Sequence, residues 1–308
     1  MPSNKHCLRV ACIASMFLSL GITAAVAAVP DFNKVEDSSA AFLRLRCSLN
    51  ARDQIYSWWT GTIYARIPGQ VIKPIMGFEG YNVCRTVKKA NGDYQLITRE
   101  VTYYRDLKTG KIIEHWDNPY TGKTDAVMQV HNDPVNATMP AHGSTAYKMP
   151  WKVMGGDVML LIDVPLSYPN ALSPTAFPEE SSGDQYIASE HFGFFAKLSD
   201  MNNPALDSVP YVNSWFRTGP WLPWMKMGQR PGDLIYSGEG KKLEHGFADL
   251  PADVQAYTRE HFPKFVNAPA SFVTPNETSW SVYKDTKQPE ASSVTTAKPD
   301  KNTANTQP

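Results

Sequence analysis

The chain has 308 residues, 42% of them hydrophobic and 11% aromatic, with 30 basic and 30 acidic side chains. That is ample apolar matter for one large domain or two small ones. The even charge balance excludes the concentrated basic surface that nucleic-acid binding needs.

Lys5 and Arg9 precede an apolar run from Val10 to Val26 that ends in Ala25-Val26-Ala27. This is the pattern of a cleavable secretory leader over residues 1–27. A permanent anchor is the competing reading, but the run falls short of the roughly 20 strongly apolar residues a span needs. The leader lacks an Arg-Arg pair, which favours the general secretory route. Its apolar run continues past Cys12, which argues against a lipoprotein anchor. The mature protein is therefore expected in the periplasm or outside the cell, slightly acidic, with no membrane span after cleavage. Cys47 and Cys84 remain. An oxidising compartment permits a bridge between them; two buried thiols are the equal alternative, because spacing alone does not decide.

Residues 28–285 read as one β-rich domain. Ala41, Phe42, Leu45 and Leu49 recur at helical spacing and predict an amphipathic helix over 38–49, with Arg44 and Arg46 off its apolar stripe. Residues 54–67 are rich in Ile, Tyr, Trp and Thr and suit a strand. Asn91-Gly92 then separates strand-like runs at 81–87 and 94–105, a strong two-residue hairpin signal because Asn and Gly tolerate positive φ. Lys108-Thr109-Gly110 leads to a run at 111–116, and Asn118-Pro119-Tyr120-Thr121-Gly122 to another at 126–131. Glycine-bearing turns between aromatic and apolar runs describe an antiparallel meander. Further strands are expected at 158–164, 186–198 and 211–217, and a short C-terminal helix over 251–262. In the run 94–105 both faces mix apolar and polar residues. That suits a barrel or strongly curved sheet, lipocalin-like in outline, around a partly polar cavity. Residues 286–308 hold no aromatic side chain and read as a disordered tail.

Motifs for nucleophile elbows, phosphate loops, dinucleotide binding and close-spaced metal ligands are absent, and Gly143-Ser144 lacks the surroundings a nucleophile needs. No cofactor or metal is expected; a metal held by distant histidines is the weaker reading. Three clusters remain. In Gly77-Phe78-Glu79-Gly80-Tyr81-Asn82, Glu79 is a candidate buried acid, or simply a paired carboxylate. In His131-Asn132-Asp133-Pro134, His131 is a candidate proton carrier, a role that suits free imidazole, and Asp133 stands close by; an ordinary turn with a rim histidine is the bland alternative. His115, beside Trp116, is its rival. The segment from Ser214 to Asp233 is the densest, with Trp215, Trp221 and Trp224 among prolines, methionines, Arg217 and Arg230. Such rings and guanidinium groups can grip a flat apolar ligand with an acidic group. They can equally form an ordered plug.

Several segments together resemble one bacterial family, the domain-of-unknown-function family 1838. They are Phe78-Glu79-Gly80-Tyr81-Asn82, Asn118-Pro119-Tyr120-Thr121-Gly122, Asn132-Asp133-Pro134-Val135-Asn136, Trp221-Leu222-Pro223-Trp224-Met225, Gln229-Arg230-Pro231-Gly232 and Pro275-Asn276-Glu277-Thr278-Ser279-Trp280. The resemblance implies one bacterial domain, often exported, and supplies no reaction from which catalytic residues carry over.

The leading expectation is a protein that encloses a hydrophobic, aromatic small molecule. Its sharper form is a cofactor-free lyase or isomerase. There His131 or His115 moves a proton with Tyr81 or Asp133, while Glu79, Arg217, Trp221, Trp224 and Arg230 bind the ligand. The alternatives are a non-catalytic carrier or sensor of apolar ligands and an envelope interaction protein that presents its Trp-Pro segment to a partner. Oligomeric state is left open.

Overall fold

The computed structural model describes residues 30–140 and 149–287, so the leader expected over 1–27 lies outside them. So does the tail expected from residue 286, except that Thr286 and Lys287 close a helix. No helix among the described residues is long and apolar enough to cross a membrane.

Strands β1 (Ile55–Arg66), β2 (Lys73–Lys88) and β3 (Tyr94–Arg105) form an antiparallel meander. The hairpin falls at Asn91-Gly92, where the sequence places it, but not as a two-residue turn. The Lys89 N–H closes on the Asp93 carbonyl at 2.7 Å with Ala90-Asn91-Gly92 in the loop, and of the predicted pair only Gly92 has a positive φ, 91°. The next segment departs from a simple meander. Strands β4 (His115–Asp117) and β5 (Thr124–Ala126) pair only with each other, as a ribbon beside the sheet. Strands β6 (Val130–Asn132) and β7 (Ala137–Met139) then return to β3. A second meander follows, of β8 (Trp151–Met154), β9 (Asp157–Pro169), β10 (Gln185–Lys197), β11 (Val212–Gly219) and β12 (Asp233–Lys242). It joins the first where β12 pairs with β1.

The ten-stranded sheet runs β6-β3-β2-β1-β12-β11-β10-β9-β8, with β7 beside β3, and does not close into a barrel. The edges are three or four residues long. Pro134 and Pro140 flank β6 and β7 and have no N–H to extend a ladder. The halves nevertheless curl towards each other: Leu96 and Met139 share an apolar cluster with Leu160 and Phe194. At the meeting of β1, β2 and β12 the Phe78 ring lies flat over two glycines. A Cβ on Gly61 or Gly238 would come within 2.6 or 2.7 Å of Phe78 Cζ.

Helices cover the seam and part of the outside. Helix α1 (Val35–Arg46) starts and stops three residues before the predicted positions, because Cys47 leaves helical geometry. Arg44, expected off the packed stripe, is buried. Its guanidinium donates to the backbone carbonyls of Asp200, Met201, Asn203 and Leu206, around helix α2 (Leu198–Met201). Helix α3 (Ala252–His261), close to the predicted 251–262, covers the convex side of β1–β3. There Tyr81, Val101 and Tyr103 pack with Val254 and Phe265. Both faces of β3 are therefore covered, which is why its alternation is blurred. Strand β9 has no such outer layer and alternates cleanly from Leu160 on, with exposed Leu161, Asp163 and Pro165 between buried or partly buried neighbours. Helix α4 (Ser279–Lys287) lies beside β6 and sets Trp280 edge-on to Tyr186, ring centroids 4.7 Å apart.

Cys47 and Cys84 form a disulfide, Cα atoms 6.0 Å apart, that ties the end of α1 to β2. Across its separation of 37 residues, loop closure contributes about 3–4 kcal/mol. Reductant, or Cys47→Ala with Cys84→Ala, is expected to lower the thermal midpoint clearly. A midpoint indifferent to both would contradict the stapling role.

Candidate functional site

The expected catalytic residues do not converge on the concave interior. Glu79 accepts from Trp58 Nε1 at 2.7 Å and ion-pairs with Arg105. Arg105 in turn holds Asp253 of α3, so Glu79 anchors the outer layer. Tyr81 donates to the Phe265 carbonyl at 3.0 Å, and burial pushes its phenol well above the usual range. His131 pairs with Val101 and shares its convex face. Its ring lies 5.1 Å from Phe262, and Nδ1 bonds the Gln129 carbonyl at 2.7 Å. Asp133 is held by Lys264 at 3.0 Å and Arg99 at 3.3 Å. These four form one wall under the α3 layer. His115 sits apart, exposed on β4.

The Trp-Pro segment is an ordered plug at one end of the concave interior. Residues Pro223–Met225 make a 3-10 turn. It buries Trp224 against Tyr104 and Trp116, with centroids 5.3 and 5.9 Å away. Trp221 packs on Tyr120 and donates to the Arg230 carbonyl at 3.1 Å, while Arg230 itself is exposed. Arg217 is brought into this core but is fully engaged there. It faces Glu190 across the β10–β11 ladder, Nε to Oε1 3.3 Å, and donates to the Tyr186 hydroxyl. Its guanidinium lies 4.9 Å from the Tyr236 centroid and 5.9 Å from that of Trp280. Burial works against the Arg217 charge, and Tyr186, Tyr236 and Glu190 more than reverse that. Burial also pushes the Tyr236 phenol up to about 12.

Open space lies at the other end, where the two edges of the sheet face each other. A chamber of about 630 Å³, open to solvent on one side, is bounded by β7, β9, β10 and α1. Its described walls are Met139 and Met149, Ile162 and Val164, Phe192 and Phe194, and Phe42, with Ala137 and Pro140; only Arg46 and Thr138 add polar side chains. Arg46 is half-buried. Its guanidinium stacks 5.2 Å from the Phe194 centroid, and Nη1 donates to the Tyr211 hydroxyl at 3.3 Å. Glu100 lies on the same concave face of β3 as Leu96. It is half-buried there. Asn132 Nδ2 donates to its Oε1 at 2.9 Å. Burial raises the Glu100 pKa, and the nearby charge of Glu190 adds to the rise.

Arg46, Glu100 and Glu190 escaped the reading from sequence. Glu100 and Glu190 lie inside runs read only as strands, and neither belongs to a motif. Arg46 was noticed but placed off the helix stripe. One signal was available: Glu100 alternates in phase with Leu96 and Tyr104, which marks it as inward-facing once that face is known to be core.

Fold and cavity together define the protein as an open, strongly curved antiparallel sheet with an apolar chamber at its seam. The chain belongs to the family described as "Protein of unknown function (DUF1838)", whose model matches residues 52–287. That stretch holds the whole sheet together with α2, α3 and α4, and helix α1 precedes it. None of the curated proteins matches the chain.

Two predictions follow from the buried charges. The folded-state pKa of Glu100 lies above its unfolded value. Protonated Glu100 therefore contributes fully below about pH 4, and the contribution is lost as pH rises through the folded value. Glu100→Gln, which keeps an acceptor for Asn132, is expected to raise the unfolding midpoint near neutral pH and leave it unchanged at low pH. Equal shifts at both would contradict the assignment. Arg217→Met strands Glu190 without its partner and should cost roughly 3–5 kcal/mol in denaturant unfolding. Adding Glu190→Gln should restore part of that, and strict additivity of the two losses would refute the coupling.

Proposed function

We propose that this is an exported protein that holds a small hydrophobic molecule, aromatic or aliphatic, in the chamber at the seam of its sheet, as a carrier or sensor. One observation carries the reading. The chamber is about 630 Å³ with walls of Met, Ile, Val and Phe, and ligand sites typically occupy roughly 300–1,000 Å³ of mainly apolar space. Export is supported by the leader pattern over 1–27 and by the Cys47–Cys84 bridge, since disulfides persist in oxidising compartments. The envelope-interaction reading finds less support, because it needs exposed rings and Trp221 and Trp224 are 3% and 2% exposed.

A fluorescent aromatic probe such as 1-aminoanthracene is expected to bind the mature protein saturably. Ile162→Trp, which fills the chamber from β9, should weaken that binding by about tenfold or more with the fold retained by circular dichroism. Unchanged probe affinity in a folded Ile162→Trp protein would contradict the site.

An acid–base reading rests on a different observation, the Glu100 carboxyl on the concave face, hydrogen-bonded to Asn132 and desolvated by its surroundings. A carboxyl with a raised pKa suits a general acid or base for the lyase or isomerase class. In this reading Glu100 takes the role assigned from sequence to His131 or His115. Turnover of a bound molecule, followed by mass spectrometry and abolished by Glu100→Gln, would establish it; a ligand recovered unchanged after long incubation rules it out.

A further inference from the structure

Three cations converge at the end of α1, and two of them are spent. Arg44 donates to four backbone carbonyls. Lys242 Nζ gives its three protons to the Arg44 carbonyl at 2.7 Å, the Cys47 carbonyl at 3.0 Å and Ser208 Oγ at 2.9 Å. These two therefore neutralise the carbonyl end of the helix and the chain beyond it. Arg46 is different. Its one hydrogen bond within the described residues goes to Tyr211, a neutral partner, at 3.3 Å. No described carboxylate lies within ion-pair distance of it.

A guanidinium has five N–H donors in a planar fork shaped for a carboxylate. Here most of that fork stands at the wall of an apolar chamber, held by the Phe194 ring and the disulfide-tied end of α1. Glu100 feels the charge of Arg46 but is hydrogen-bonded to Asn132 and makes no ion pair with it. Burial favours the neutral form of Glu100, which leaves it a weak counter-ion. Arg44 adds positive charge from behind, while burial and then the charges of Arg46 and Arg44 pull the Lys242 pKa well down.

Resting on the reading of the chamber as a ligand site, we propose that it selects amphipathic organic acids, and that Arg46 receives the carboxylate while the Phe, Met and Ile walls take the hydrocarbon. In an apolar setting a charge-assisted, bidentate contact of this kind outweighs its neutral counterpart. Arg217 and Arg230, the cations favoured from sequence for this role, are engaged with Glu190 and exposed on the surface, respectively.

The experiment is a calorimetric titration of the mature protein with two probes of equal chain length, sodium decanoate and 1-decanol. Wild type is expected to bind decanoate about tenfold more tightly than decanol. Arg46→Gln should bring decanoate down to the level of decanol and leave decanol unchanged, while Arg46→Lys keeps part of the preference. Equal affinity of the two probes for wild type, or a preference that survives Arg46→Gln, overturns the role of Arg46 and leaves the chamber standing as an apolar site. Failure of both probes to bind overturns the chamber reading and this proposal together. Circular dichroism of each variant confirms that it is folded. Should Arg46→Gln not fold, Arg46→Lys and the wild-type comparison of the two probes decide the question.

Discussion

An antiparallel sheet that curls without closing leaves two backbone edges facing each other, and side chains must occupy the gap that hydrogen bonds do not. That constraint governs the rest of this structure. At one end the gap is filled solidly: α4 brings Trp280 onto Tyr186, and the Trp-Pro turn seats Trp224 on Tyr104. At the other end α1, Met139 and Met149 cover the gap without filling it, and the chamber remains. A sheet closed by one more ladder would need neither the plug nor the helix at its edge.

The polar groups inside follow from the same geometry. Once the concave face is enclosed, any charge on it must be paired or border open space. Arg217 and Glu190 take the first course, opposite each other on adjacent strands among tyrosine rings. Arg46 takes the second, at the chamber wall. Glu100 accepts from Asn132, and burial favours its neutral form. Charge placement thus separates a structural pair from the one cation that a ligand can reach.

Much of the fold was legible because its signals are local. Asn91-Gly92 forces a tight turn, and the register Lys88↔Tyr94 follows from it. The runs at 158–164, 186–198 and 211–217 became β9, β10 and β11, because β-branched and aromatic residues suit long paired strands. The α3 helix appeared where its apolar spacing put it. What depends on distant contacts was not legible. The segment around His115 reads like another meander strand, yet its neighbour Trp116 leaves the sheet to pack on Trp224. Glu79, Tyr81, His131 and Asp133 do cluster, but on the convex face, because one residue of register decides which side a strand residue takes. Closure failed for a related reason: nothing in a strand's own residues says whether the two ends of a sheet will meet.

The chamber itself is the central claim, and xenon tests it without any assumption about ligand chemistry, since apolar cavities that exclude water take up the gas. A crystal of the mature protein held under xenon pressure is expected to show anomalous density bounded by Met139, Ile162, Phe192 and Phe194. Density absent there, with those four side chains in direct contact and the seam packed solid, would contradict the account.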